Sequence, residues 1–185
     1  MKADANARTI LSSATANHHR RVDDTFSAFA LGDPASYGLF LRAQAVAHLP
    51  VEDALAAGGI AAIVRDWSAR RRYKQLRLDL AELRLNVPTP VGSIALEGTP
   101  ALLGALYVLE GSRLGGALLR KRVAPDLPTR FLDKADPTAW RTLLSLLETE
   151  LDTDLKRGSA VAAAKAVFDL FEAGGRLGLE PGKPA

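Results

Sequence analysis

A chain of 185 residues, with 48% hydrophobic and 24% charged residues, has the composition of one globular domain able to bury a real core. Its net charge of +3 is small and dispersed, which argues against nucleic acid as a partner, and the absence of cysteine excludes disulfides, thiolate chemistry and cysteine-based metal sites. No stretch approaches the roughly 18 uncharged apolar residues of a membrane span and MKADANART lacks the apolar core of a signal peptide, so the expectation is no membrane, a cytoplasmic location by default and a monomer by default.

The first predicted helix runs from Ala5 to Leu31. Within SSATANHHRRVDDTF, residues Leu11, Val22, Phe26 and Phe29 fall within roughly 60° of one another on a helix of 3.6 residues per turn. His18 lies slightly to one side of that stripe and His19 to the other, and periodicity alone favours His18 as the more inward. Neighbours about 100° apart do not form a two-histidine chelate. Either one suits the role of a single axial ligand to a haem iron. The plain alternative is an exposed histidine beside a partly buried one.

Asp33-Pro34 pairs an N-cap with proline at the first helical position and opens a second helix through SYGLFLRAQAVAHL, which Pro50 is expected to end. His48, just before that proline, reads as structural or exposed. A short helix over Val51 to Ala57 precedes Gly58-Gly59. Ile60 to Leu85 then reads as one long, basic, amphipathic helix with Trp67 and Arg70, Arg71 and Arg72 on a surface face. Asn86 to Gly92 holds two prolines and a glycine and is the clearest loop.

Thr99 to Val123, TPALLGALYVLEGSRLGGALLRKRV, is the most informative stretch. Thr99 suits an N-cap and Pro100 the first turn, and the basic end at Arg120, Lys121 and Arg122 complements the helix dipole. Gly111, Gly115 and Gly116 stand inside it, and each costs about 1 kcal/mol relative to alanine. Two glycines four apart strip one face to bare backbone, which lets a flat ligand or another helix approach closely and lets the helix bend. Tyr107, one turn before Gly111, faces the same side and would line a ligand or pack in the core. A break follows around Pro125 and Pro128. Asp136-Pro137 opens the next helix, and Ser159 to Leu177 forms the last. The expectation is an all-α bundle over residues 1–178 with a tail over 179–185.

The two segments together, ATANHHRRVD and YVLEGSRLGG, resemble the haem oxygenase family, especially the bacterial enzymes that supply biliverdin to bacteriophytochromes. The likeness extends through FLRAQAVAHLPVE and AAAKAVFDLF, in the same order. It implies a single-domain haem-oxygenase-like helical bundle. It implies that His19, four residues after Thr15 and four before Asp23, is the proximal ligand to the haem iron. It implies that Gly111, Ser112 and Gly115 form the catalytic distal surface, with Tyr107, Gly111, Gly115, Gly116 and Arg122 among the haem-binding residues. Lys121 and Arg20 join Arg122 as candidate partners of the haem propionates. Many members carry an aspartate where this chain has Ser112, and a hydroxyl holds no charge with which to store a proton. Glu110 and Arg113, the nearest charged residues, are expected to be solvated. The implied reaction is oxidative opening of haem b, both substrate and cofactor, to biliverdin with release of carbon monoxide and ferrous iron. Dioxygen is the oxidant, a ferredoxin or reductase the external electron donor, and a bacteriophytochrome a possible acceptor of the product. A haem carrier or sensor without turnover, and a helical interaction module whose glycines serve packing, are the alternatives.

Overall fold

In a computed structural model of the chain, residues 6–134 and 136–180 are described. They form seven α-helices: α1 (Ala7–Ser27), α2 (Pro34–Ala57), α3 (Trp67–Arg70), α4 (Tyr73–Glu82), α5 (Gly98–Arg120), α6 (Pro137–Glu150) and α7 (Asp154–Leu179). Short 3-10 turns lie at Ile60–Ala62 and Arg130–Leu132, and there is no strand among the described residues. Side-chain caps set several starts, because the first amides of a helix have no partner within it. The Asn6 side chain accepts from Thr9 N, Asp33 from Ser36 N, Asp136 from Thr138 N and Thr153 from Lys156 N.

Helix α7 is the central element, with α1, α2 and α5 all packed along it. The larger core fills the space where α5 and α7 meet α1, α2 and α6, through residues such as Leu103, Leu106, Leu147 and Val167. A second core gathers Phe29, Tyr37, Phe40, Leu76, Leu80 and Phe131 around the α2 and α4 contact. Helices α5 and α7 cross at backbone contact: a Cβ on Gly104 would sit 2.1 Å from the Ala160 carbonyl oxygen. By length and composition α5 could span a membrane, but half of its most apolar stretch is buried inside the protein.

The structure corrects several expectations, the first being the end of the first helix, which stops at Ser27 and not at Leu31. Helix α2 does not stop at Pro50 but runs through it to Ala57. A proline inside a helix leaves the carbonyl four residues earlier without its partner. That carbonyl, on Val46, instead accepts the amide of Val91 at 3.3 Å, from the loop after α4. The long helix expected over Ile60 to Leu85 is broken into the 3-10 turn, α3 and α4. The break exists because Arg70 and Arg72 turn inward, 4% and 6% exposed, and Trp67 is buried with them. Helix α5 begins at Gly98, not Thr99, and no side chain caps it. Gly98 takes a φ of +77°, a conformation that glycine adopts without strain. The last helix begins at Asp154, five residues before Ser159, because Thr153 supplies the cap. At the chain ends, Ala5 and residues 181–185 of the expected tail lie outside the described residues.

Candidate functional site

Helices α1 and α5 run the same way along α7. Ala160 meets Gly104, Phe168 lies edge-on to His19 at 5.8 Å, and Asp169 and Glu172 meet Arg21. Further along, Phe171 packs on His48, whose polar partners lead to Leu109 and Ser112 of α5. A hydrogen bond between Tyr107 and Ser12 links α5 to α1. Burial raises the Tyr107 pKa, and that bond partly opposes the rise. The Trp140 ring of α6 tilts on Tyr107 at 5.7 Å and helps close that end.

Beyond this link the two helices differ in what they present. On α5, a Cβ on Gly111 would lie 3.9 Å from the Trp140 ring, ordinary contact, whereas one on Gly115 would meet nothing within 4 Å. Leu114 and Leu118, on the same side of the helix, are exposed large apolar residues. Gly104, Gly111 and Gly115 thus form one stripe at spacings of seven and four, used for helix crossing at one end and left open at the other. Gly116 points about 100° away from Gly115. A Cβ there would lie 3.5 Å from the main chain of Leu132, so this glycine seats α5 on the turn at Arg130–Leu132. Arg122, Lys121 and Arg20 are all exposed. Arg20 is hydrogen-bonded to Asn17 and Arg120 pairs with Asp133 at 2.6 Å.

On α1 the two histidines part company. The His18 side chain is 19% exposed and leans toward Asp169, and its Nδ1 is buried with no hydrogen-bond partner among the described residues. The His19 side chain is 61% exposed, and its Nδ1 sits 2.9 Å from the Asp23 carboxylate. Periodicity therefore ranks the burial of the two correctly, with His18 the more inward. Among the described residues no group of three or more histidines and acids is placed to hold a metal ion by itself.

Behind the open face of α5 lies a buried polar cluster that the sequence does not reveal. Glu52 of α2 accepts from His48 Nε2 at 2.8 Å, from the Arg72 amide at 2.6 Å, and from Arg71 Nε and the Tyr73 amide at 3.3 Å each. It thereby caps α4 from another helix. The Arg72 guanidinium donates to the Leu109 carbonyl at 3.2 Å and the Ser112 hydroxyl at 3.1 Å. Arg70 donates to Asp66 at 2.9 Å and to the Ala139 carbonyl at 3.1 Å, and lies 3.7 Å from Glu110. Glu110 is therefore buried rather than solvated, and burial raises its pKa against the pull of Arg70. Arg113 is only partly exposed. His48 is fully buried and structural. The run of basic residues at 70–72 hides this arrangement, because the acids that admit it come from Glu52 and Glu110, far off in the chain.

No family model matches the chain. Among solved structures it is similar to the NO- and CO-bound haem oxygenase from Neisseria meningitidis, with a TM-score of 0.81 at 22% identity over 94% of this chain and 92% of that one. It is also similar to the haem oxygenase from Leptospira interrogans, with a TM-score of 0.68 at 17% identity over 92% of this chain and 98% of that one. These likenesses define the class: an all-α bundle of the haem oxygenase fold. In sequence it is 35% identical over 150 residues to the haem oxygenase of Xanthomonas campestris pv. campestris (strain 8004), covering 75% of this chain and 88% of that protein. The chain belongs to the haem oxygenase family, a family of enzymes.

Proposed function

We propose that this protein opens haem oxidatively to biliverdin, releasing carbon monoxide and ferrous iron, with dioxygen as oxidant and electrons from an external ferredoxin or reductase. One observation carries the reading beyond family membership: an imidazole backed by a carboxylate, two turns along α1 from the Ser12–Tyr107 link, matched by an apolar, glycine-bared stretch of α5 two turns along from the same link. Haem, when bound, supplies both the ring that is cut and the iron that activates dioxygen.

The residues fit such a ligand. A histidine that donates Nδ1–H to a carboxylate is fixed in the tautomer whose Nε2 lone pair is free for a metal. Asp23 does this for His19 at 2.9 Å. His18 has no such partner on its Nδ1. His19 would hold the iron through Nε2, and an imidazole pushes far less electron density toward a metal than a thiolate would. Gly111 and Gly115 would let the ring approach the α5 main chain closely, and Leu114 and Leu118, exposed on the same side of the helix, would give it apolar cover. Gly116 keeps α5 seated on the turn at Arg130–Leu132, and Tyr107 packed on Trp140 would border the ring one turn before Gly111. Arg122, Lys121 and Arg20 are solvent-facing cations suited to the two propionates. A cytoplasmic bacteriophytochrome is the proposed acceptor of the product.

Reconstitution with hemin followed by ascorbate or a reductase tests the reading. The expected result is loss of the haem band with growth of a bilin band, and His19→Ala is expected to abolish both the ordinary haem spectrum and turnover. A stable spectrum under reductant makes the protein a carrier. If His18→Ala removes the spectrum and His19→Ala does not, the ligand assignment fails.

A further inference from the structure

The hydroxyl of Ser112 has one proton and two lone pairs. Its oxygen lies 2.8 Å from the Leu109 carbonyl, an acceptor only, and 3.1 Å from Arg72 Nη2, a donor only. The proton must therefore point at Leu109, and one lone pair is taken by the guanidinium. What remains toward the open side is a single acceptor, with a cation directly behind it.

That cation is held from every side. Its own amide is fixed by Glu52, its guanidinium faces the Phe131 ring at 4.7 Å, and its second acceptor is the Leu109 carbonyl. The titratable and charged groups around it are His48 and Glu52 from α2, Arg70 and Arg71 from the α3 corner, and Glu110 and Arg113 from α5. Burial brings the Arg72 pKa down, to about 10, so the group stays charged at neutral pH. Glu52 is occupied with His48, Arg71 and two main-chain amides, and among the described residues no carboxylate hydrogen-bonds the Arg72 guanidinium.

We propose that Arg72 is a positioning residue of the distal site. It locks Ser112 as an acceptor and sets a fixed positive charge behind it, so that water on the open face of the haem gives up a proton more readily. This rests on the proposed function, since it concerns haem bound between His19 and α5. A fixed cation in a dry surrounding favours the deprotonated form of a nearby water.

The test is the acid–alkaline spectral transition of the ferric hemin complex, read by absorption and independent of turnover. Arg72→Gln keeps an N–H donor and removes the charge, and is expected to raise the midpoint by about one unit, a tenfold change in the ratio of the two forms at a given pH. Arg72→Lys keeps the charge and is expected to restore most of that shift. Should Arg72→Gln fail to fold, Ser112→Asp cancels the cation from the other side and is expected to raise the midpoint similarly. A folded Arg72→Gln protein, or Ser112→Asp in its place, with an unchanged midpoint overturns this inference alone. Wild-type protein that takes up no hemin overturns the proposed function and this inference together.

Discussion

Protonating His48 would place a second charge against Arg72 and a new donor at Nδ1, a buried atom with no partner among the described residues to receive it. Burial and the facing Arg72 guanidinium accordingly hold its pKa below the ordinary value, and it donates Nε2–H to Glu52 as a neutral ring. In the unfolded chain the same histidine titrates near about 6.5. Below that pH the unfolded state binds more protons than the folded one, so stability falls as pH drops through this window. Glu52 has the same sign at lower pH. Burial pushes its carboxyl up, but the His48 bond and the Arg72 amide outweigh it and leave the pKa lowered, so its share is lost only below the usual carboxylate range. Glu110, raised by burial, works in the opposite direction and gains as the medium turns acidic. The urea midpoint is expected to fall between pH 7 and 5.5, and His48→Gln, which keeps a donor for Glu52, to flatten that slope. An equally steep slope in the variant would assign the effect elsewhere. His19 was offered as the liganding candidate by the family resemblance, through its spacing from Thr15 and Asp23, whereas nothing in the sequence pointed to the buried arginines. Their inward turn depends on groups contributed by other helices, the Leu109 carbonyl, Ser112 and Glu110 of α5, the Ala139 carbonyl of α6 and Glu52 of α2.

At the level of the element, α5 uses one residue type in two opposed ways. At Gly104 an added methyl would collide with the Ala160 backbone, which cannot move without α7. At Gly115 it would enter open space. Gly104→Ala is expected to destabilise the ligand-free protein by about 2 kcal/mol or more through overpacking. Gly115→Ala is expected to stabilise it by about 1 kcal/mol through helix propensity while weakening hemin binding. Denaturant unfolding and hemin titration of the two variants check this pair, and equal effects on stability would refute the distinction. Helix starts at Asp33-Pro34 and Asp136-Pro137 were readable because capping is local. The split of 60–85 was not, since its periodicity satisfies a helix and the breaks come from tertiary contacts, the burial of Trp67, Arg70 and Arg72 and the cap that Glu52 places on the start of α4. Gly104 went unnoticed because a glycine contacting another helix looks, in one dimension, like any other. Its place in the Gly104, Gly111, Gly115 stripe was the available signal.

For the whole molecule, α7 is the shared floor on which α1 and α5 stand, and nothing local in the sequence marks it for that position. The all-α class was readable from helical periodicity and the lack of hairpin signals, but the arrangement around a hub depends on which faces meet. A ligand held between α1 and α5 joins two elements that otherwise communicate chiefly through α7. At hemin concentrations near 100 times the dissociation constant the added stability is about 2.7 kcal/mol. For a chain of this size that corresponds to a rise in Tm of roughly 5–10 °C. Scanning calorimetry is expected to show this rise in the wild type and little of it in His19→Ala; the same rise in both would place the ligand elsewhere. The interruption at Pro50 acts at this scale too. By withholding one amide it leaves the Val46 oxygen on offer, and Val91 takes it. The irregular passage between Glu82 and Gly98 is thus moored to the bundle by the very residue that ordinarily cuts a helix short.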